Sequence, residues 1–208
     1  MEHLILRGYL GTFVLLFAAC RNSSLWQMLM QMGVHLGKGS RFEDQQRAGR
    51  SPVTIEKRVW IRATAEVVFK ALTDSKELAR WFCDRALSDP REGGELTAHW
   101  TTGKSDLKGR ALFTRIVKPS SVELLWIDDG KGEQHEGSKH TLRYAIRTKS
   151  EMTEVFMQDQ DENAPDEEAF DILDEGWNTV LLELKDFCER RQRSIKLRPH
   201  GTKEMSSA

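Results

Sequence analysis

The stretch Asp166–Arg191, DEEAFDILDEGWNTVLLELKDFCERR, decides how the rest of the chain is read. Its apolar residues Phe170, Leu173, Trp177, Leu181, Leu184 and Cys188 recur at steps of three and four, and Ile172, Val180 and Phe187 widen the stripe. That is the period of an amphipathic helix with one face to bury. Pro165 suits a first helical position, Asp166, Glu167 and Glu168 complement the positive end of the helix dipole, and Arg190, Arg191 and Arg193 complement the negative end. At ~1.5 Å per residue the helix spans about 39 Å, enough to cross one face of a small sheet. Gly176 inside it costs about 1 kcal/mol relative to alanine. Either the helix tolerates a defect or a break there, or a strand or bound molecule approaches closely beside Trp177.

The sheet is written upstream. Val53, Ile55, Val59 and Ile61 alternate with polar residues in VTIEKRVWI, a strand with one buried face. Thr64 then suits the N-cap of a helix over AEVVFKALTD, and Ser75 the cap of a second one through Leu78, Trp81 and Phe82. After Asp84 the period returns to two, in GELTAHW (Leu96, Ala98, Trp100), SVELLW (Val122, Leu124, Trp126), KHTLRYAI (His140, Leu142, Tyr144, Ile146) and finally Met152–Gln158. The run LKGRALFTRIVK has apolar residues on both faces, which indicates a long strand with a bulge or one that borders a cavity. The expected fold class is α+β: a curved antiparallel β-sheet of about six to seven strands wrapped around a long C-terminal helix, with two short helices after the first strand.

With 208 residues, 39% hydrophobic, and 31 basic against 32 acidic side chains, the composition is that of one soluble domain with appendages, and no basic excess points to nucleic acid. The nine acids of 159–175 and the basic run 189–203 read as solvated surface. Cys20, Cys83 and Cys188 are odd in number and far apart, which suggests neither a disulfide framework nor a zinc knuckle and fits a reducing, cytoplasmic compartment. Residues 1–50 read as a weakly ordered extension that folding does not need, ending in the linker GKGSRFEDQQRAGRS. The alternative is export or lipid anchoring through Cys20, because the apolar run Tyr9–Cys20 has the length of a signal core and is too short to span a membrane. The domain is placed at 51–193 and a basic flexible tail at 194–208.

The segment Thr54–Phe82, with Glu66-Val67-Val68-Phe69, Ala71-Leu72-Thr73-Asp74 and Leu78-Ala79-Arg80-Trp81-Phe82, resembles the opening of the helix-grip superfamily of START domains, Bet v allergens and polyketide cyclases (SRPBCC). Glu92-Gly93-Gly94-Glu95-Leu96, and Gly176-Trp177 followed by Leu181, Leu184 and Phe187, are similar to the branch named after the C-terminal domain of the activator of the heat-shock protein ninety ATPase. The resemblance covers 51–191. It departs from the usual pattern at Thr64 and Ala65, where proline is common, and in a longer acidic loop at Asp159–Glu168.

A sheet wrapped around a helix leaves an apolar tunnel as the default ligand site. The residues expected to line it are Trp81, Phe82, Trp100, Phe113, Arg115, Trp126, Tyr144, Phe156, Trp177 and Leu181, with Arg115 as an anion anchor unless a bulge turns it to solvent. Each aromatic has core filling as its alternative. His99 falls on the face opposite Trp100, and the other inward positions read as mostly aliphatic or aromatic, so no catalytic residue, metal or cofactor is expected. The resemblance implies a non-catalytic domain for a small apolar or amphipathic ligand. Its alternatives are a stress-response co-regulator docking a chaperone ATPase, and a cyclase-like enzyme.

Overall fold

The computed structural model describes residues 53–102, 105–128, 140–161 and 167–197. Strand β1 (Val53–Ile61) leads into helices α1 (Ala65–Thr73) and α2 (Ser75–Trp81), followed by β2 (Arg85–Ser88), β3 (Glu95–Thr102), β4 (Ser105–Val117), β5 (Ser121–Asp128), β6 (His140–Lys149), β7 (Met152–Asp161) and the long helix α3 (Glu167–Lys196). Thr64 caps α1 as expected, its hydroxyl accepting the Val67 N–H at 3.4 Å. The cap of α2 is Asp74 and not Ser75, which is the first helical residue. One Asp74 oxygen takes both the Lys76 and Glu77 N–H groups, at 2.9 and 3.1 Å, a pair of donors that only a residue just outside the helix can reach.

All seven strands form one antiparallel sheet in the order β1-β7-β6-β5-β4-β3-β2, and α3 covers its inner face, the helix-grip arrangement. The short edge strand β2 has no counterpart among the strands read from sequence. Its four residues pair with Leu96–His99, but Leu87 is on the exposed phase, so its apolar residues do not follow its burial. The register of β4 slips twice against β5, between Arg110 and Ala111 and between Phe113 and Arg115. Of the two readings of LKGRALFTRIVK, a bulge or a strand bordering a cavity, the register shows the bulge, and twice. The second bulge leaves Thr114 as the extra residue and inverts the alternation, with Ala111 and Phe113 buried but Thr114 and Arg115 both exposed.

Helix α3 runs unbroken through Gly176, which is buried, and extends past the expected end because neither glycine nor proline intervenes before Pro199. Leu173, Trp177, Val180, Leu181, Leu184, Phe187 and Cys188 are buried and Phe170 half-buried, so the stripe read from sequence is the core face. Among the described residues the α3 backbone packs closest to β1, α1 and α2, and larger side chains bridge it to the middle strands. Residues 1–50, and 198–208 of the tail, lie outside the described residues. Helix α3 includes the first part of what was read as the tail, 194–196.

The Glu92–Leu96 motif has a physical cause. Gly93 sits at φ +76° and donates its N–H to the Phe113 carbonyl at 2.8 Å, while Phe113 donates to the Gly94 carbonyl at 2.9 Å, docking the loop on β4. A Cβ on Gly94 would lie 2.0 Å from the Asp89 carbonyl oxygen, which itself accepts the Arg91 N–H. Gly93→Ala is expected to cost about 1–2 kcal/mol for its left-handed backbone. Gly94→Ala should cost more, because backbone must move. Urea melts of the two variants check this order, and an unaffected Gly94→Ala would contradict it.

Candidate functional site: the interior between sheet and helix

Strand alternation sends Leu96, Ala98 and Trp100 of β3, Ala111 and Phe113 of β4, Val122, Leu124 and Trp126 of β5, Leu142, Tyr144 and Ile146 of β6 and Val155 and Met157 of β7 to the inner face, against the α3 stripe. Three tryptophan N–H groups are used. Trp81 donates to the Ala71 carbonyl at 2.9 Å, Trp100 to the Phe82 carbonyl at 2.7 Å and Trp177 to Asp159 Oδ2 at 2.6 Å. Phe187, Trp81, Phe82 and Trp100 follow one another at ring separations of 6.3, 5.4 and 5.3 Å, tying α3 to the end of α2 and to β3.

Of the residues expected to line a site, Trp100, Phe113, Trp126, Tyr144, Trp177 and Leu181 are buried in this interior, and Trp81 and Phe82 are half-buried against it. Two are not there. Arg115 is exposed on the outer face because the Thr114 bulge reverses its phase, which removes it as an interior anion anchor. Phe156 belongs to the outer phase of β7 and lies beneath the Arg58 guanidinium, 4.9 Å from its ring centroid, because Thr153, Val155, Met157 and Asp159 take the inner phase. His99 is half-buried on the face opposite Trp100, as alternation requires.

The acids read as solvated are not all so. Asp159 is 4% exposed and faces inward beneath Trp177, and Asp174 holds Lys57 at 2.6 Å. Tyr144 stands one step diagonally from Asp159 across the β6–β7 pairing. Burial first, and the negative charge of Asp159 second, push its hydroxyl well above the usual range. It therefore keeps its proton at any ordinary pH and offers a hydrogen bond, not a base. Glu77, also buried, takes Arg191 through Nε and Nη2 at 3.2 and 3.0 Å and Arg80 at 3.1 Å, joining α2 to α3. Burial pushes the thiols of Cys83 and Cys188 up to about 12, so neither is a thiolate nucleophile.

Glu183 is a further residue that the sequence reading passed over. It sits in the apolar stripe, three residues after Val180 and one turn before Phe187, and the signal for it was an acid at a core position. Half-buried, its carboxyl is pushed up to about 7 by desolvation.

A family model described as activator of Hsp90 ATPase homolog 1-like protein matches residues 62–189. The chain belongs to this family. Among solved structures, a protein from Nitrosomonas europaea is 13% identical with a TM-score of 0.57, covering 67% of this chain and 96% of its own. One from Rhizobium loti is 18% identical with a TM-score of 0.56, covering 65% and 96%. The solution structure of an Aha1 dimer from Colwellia psychrerythraea is 18% identical with a TM-score of 0.51, covering 66% and 96%. These likenesses show a shared fold. No curated protein matches the chain. Among the described residues no helix is long and apolar enough to cross a membrane.

Glu183 gives a pH test of the interior for this family member. Its folded pKa is raised, so the stability tied to it is complete below the ordinary carboxylate range and is lost as pH rises toward 7. Glu183→Gln should therefore melt like the wild type near pH 4 and be more stable at pH 8, by on the order of 1 kcal/mol after allowance for its partial exposure. A variant equally stable, or less stable, at pH 8 would show the carboxyl to be solvated.

Proposed function

We propose that this chain is a non-catalytic START-like domain that holds a small amphipathic ligand between the sheet and α3, with the ligand's polar end at Asp159, Tyr144 and Trp177. The observation that carries the reading is the placement of these three polar groups together on an inner face whose other strand positions are mostly apolar, with Thr153 and Lys57 already bonded to Ala63 and Asp174. Such a small number of convergent polar groups in an apolar surround orients a ligand. The same placement sets the headgroup. With Arg115 outside and Lys57, an inner-phase cation of β1, already paired with Asp174 at 2.6 Å, an anionic head meets the like charge of Asp159, whereas a hydroxyl or amide finds both acceptor and donor.

Binding is favoured over turnover because the Tyr144 hydroxyl holds its proton and Asp159 is engaged by Trp177. A second reading, docking to a heat-shock ATPase, is favoured by the family description. It uses the outside of the domain and is compatible with an occupied interior.

A fluorescent long-chain alcohol is expected to bind saturably, and more tightly than the carboxylic acid of equal length. Asp159→Asn, which keeps an acceptor for Trp177, should narrow or reverse that preference. Tyr144→Phe should weaken the alcohol by about tenfold, the loss of roughly one hydrogen bond. Absence of saturable binding, or an acid that binds better than the alcohol in the wild type, would overturn the reading.

A further inference from the structure

The outer face of the sheet carries an aromatic and basic patch at the corner where β1, β7 and β6 meet. Trp60 is 38% exposed, large for a tryptophan, and nothing in the core requires it there. Across the ladder Trp60 faces Glu154 and then Arg147, and in the next row Arg58 faces Phe156. Lys149 stands 5.9 Å from the Trp60 ring centroid and Arg58 stands 4.9 Å from that of Phe156. The Trp60 backbone is fixed from the other side, since Lys185 of α3 donates to its carbonyl at 2.5 Å.

We infer that this patch is a docking surface for a partner protein that presents an acidic side chain next to an apolar one. Charge complementarity chooses the partner. Among the described residues Arg147 is exposed and makes no ion pair, and Lys149, the last residue of β6, makes only its ring contact. The acid at the centre, Glu154, is mostly buried and already occupied by Arg58 at 3.6 Å. A partner carboxylate therefore has Arg147 and Lys149 to pair with, while its apolar neighbour covers Trp60. Tryptophan and arginine on a pre-set backbone are the residue types that dominate interface energies. The interspersed Glu56, Glu123 and Glu154 on the same face, and a net charge of -1 for the chain, set it against a polyphosphate or an anionic bilayer. The inference does not depend on the interior ligand.

The test uses the full chain and a soluble 12-residue peptide of alternating glutamate and leucine, with its lysine–leucine counterpart as control. NMR shift mapping is expected to show saturable binding of the acidic peptide only, with the shifts centred on Trp60, Arg147 and Lys149. Trp60→Ala and Arg147→Glu should each weaken binding by tenfold or more. Arg147 is an exposed position without an ion-pair partner among the described residues, so its variant keeps the test valid if Trp60→Ala unfolds. No binding at millimolar peptide, binding unchanged in Arg147→Glu, or tighter binding to phosphatidylserine vesicles or to a thymidine oligonucleotide would overturn the inference.

Discussion

Where an edge strand leaves its sheet its backbone groups must be satisfied, and at the end of β1 one helix does it. Lys185, Glu189 and Gln192 of α3 stand at steps of four and three on one side of the helix, reaching the Trp60 carbonyl at 2.5 Å, the Arg62 N–H at 3.1 Å and the Thr64 N–H at 3.0 Å. Lys57 and Asp174 extend the same seam at 2.6 Å. These contacts hold the C-terminal end of the edge strand β1 and its exit toward α1, where unpaired strands invite edge-to-edge pairing. They also set the rotation and axial position of α3. The Arg62 N–H first, and Lys185 second, hold the Glu189 carboxyl below its usual range, so the seam is intact in neutral solution and weakens as acid protonates it.

Once α3 is held along β1, the rest of the interior follows. Its neighbouring stripe faces inward, so Trp177 comes over Asp159, and Phe187 stacks on Trp81. Glu77 with its two arginines closes the other end, between α2 and α3. The helix stays near β1, α1 and α2, and large core side chains bridge it to the middle strands. Aromatic bulk and a few polar groups occupy the region where a ligand would be held. The glycine loop at Gly93 and Gly94 secures the far strands by docking on β4.

Much of this was legible because it is local. The stripe of α3, the Thr64 cap and the alternation of β1, β3, β5 and β6 depend on neighbours a few residues apart, and each carried its own period or end signal. What failed to show depends on pairing between distant segments. Arg115 shared the phase of Ala111 and Phe113 in sequence, and only the slip against β5 sends it out. In β7 both phases hold apolar residues, Val155 and Met157 against Phe156, so the sequence left the choice open, and packing under α3 made it. Asp159 opens an acidic run whose other members suggested solvent, yet it holds an inward position of its strand. Four residues of β2 with an exposed leucine are too few to show a period.

Native mass spectrometry of the full chain purified from its own cells tests the central claim, that the interior holds a small amphipathic molecule with a neutral head. A bound mass beyond that of the polypeptide is expected, released on unfolding and identified as an alcohol, amide or similar uncharged amphiphile. A bare polypeptide, or a bound species that is a strong acid, would contradict it.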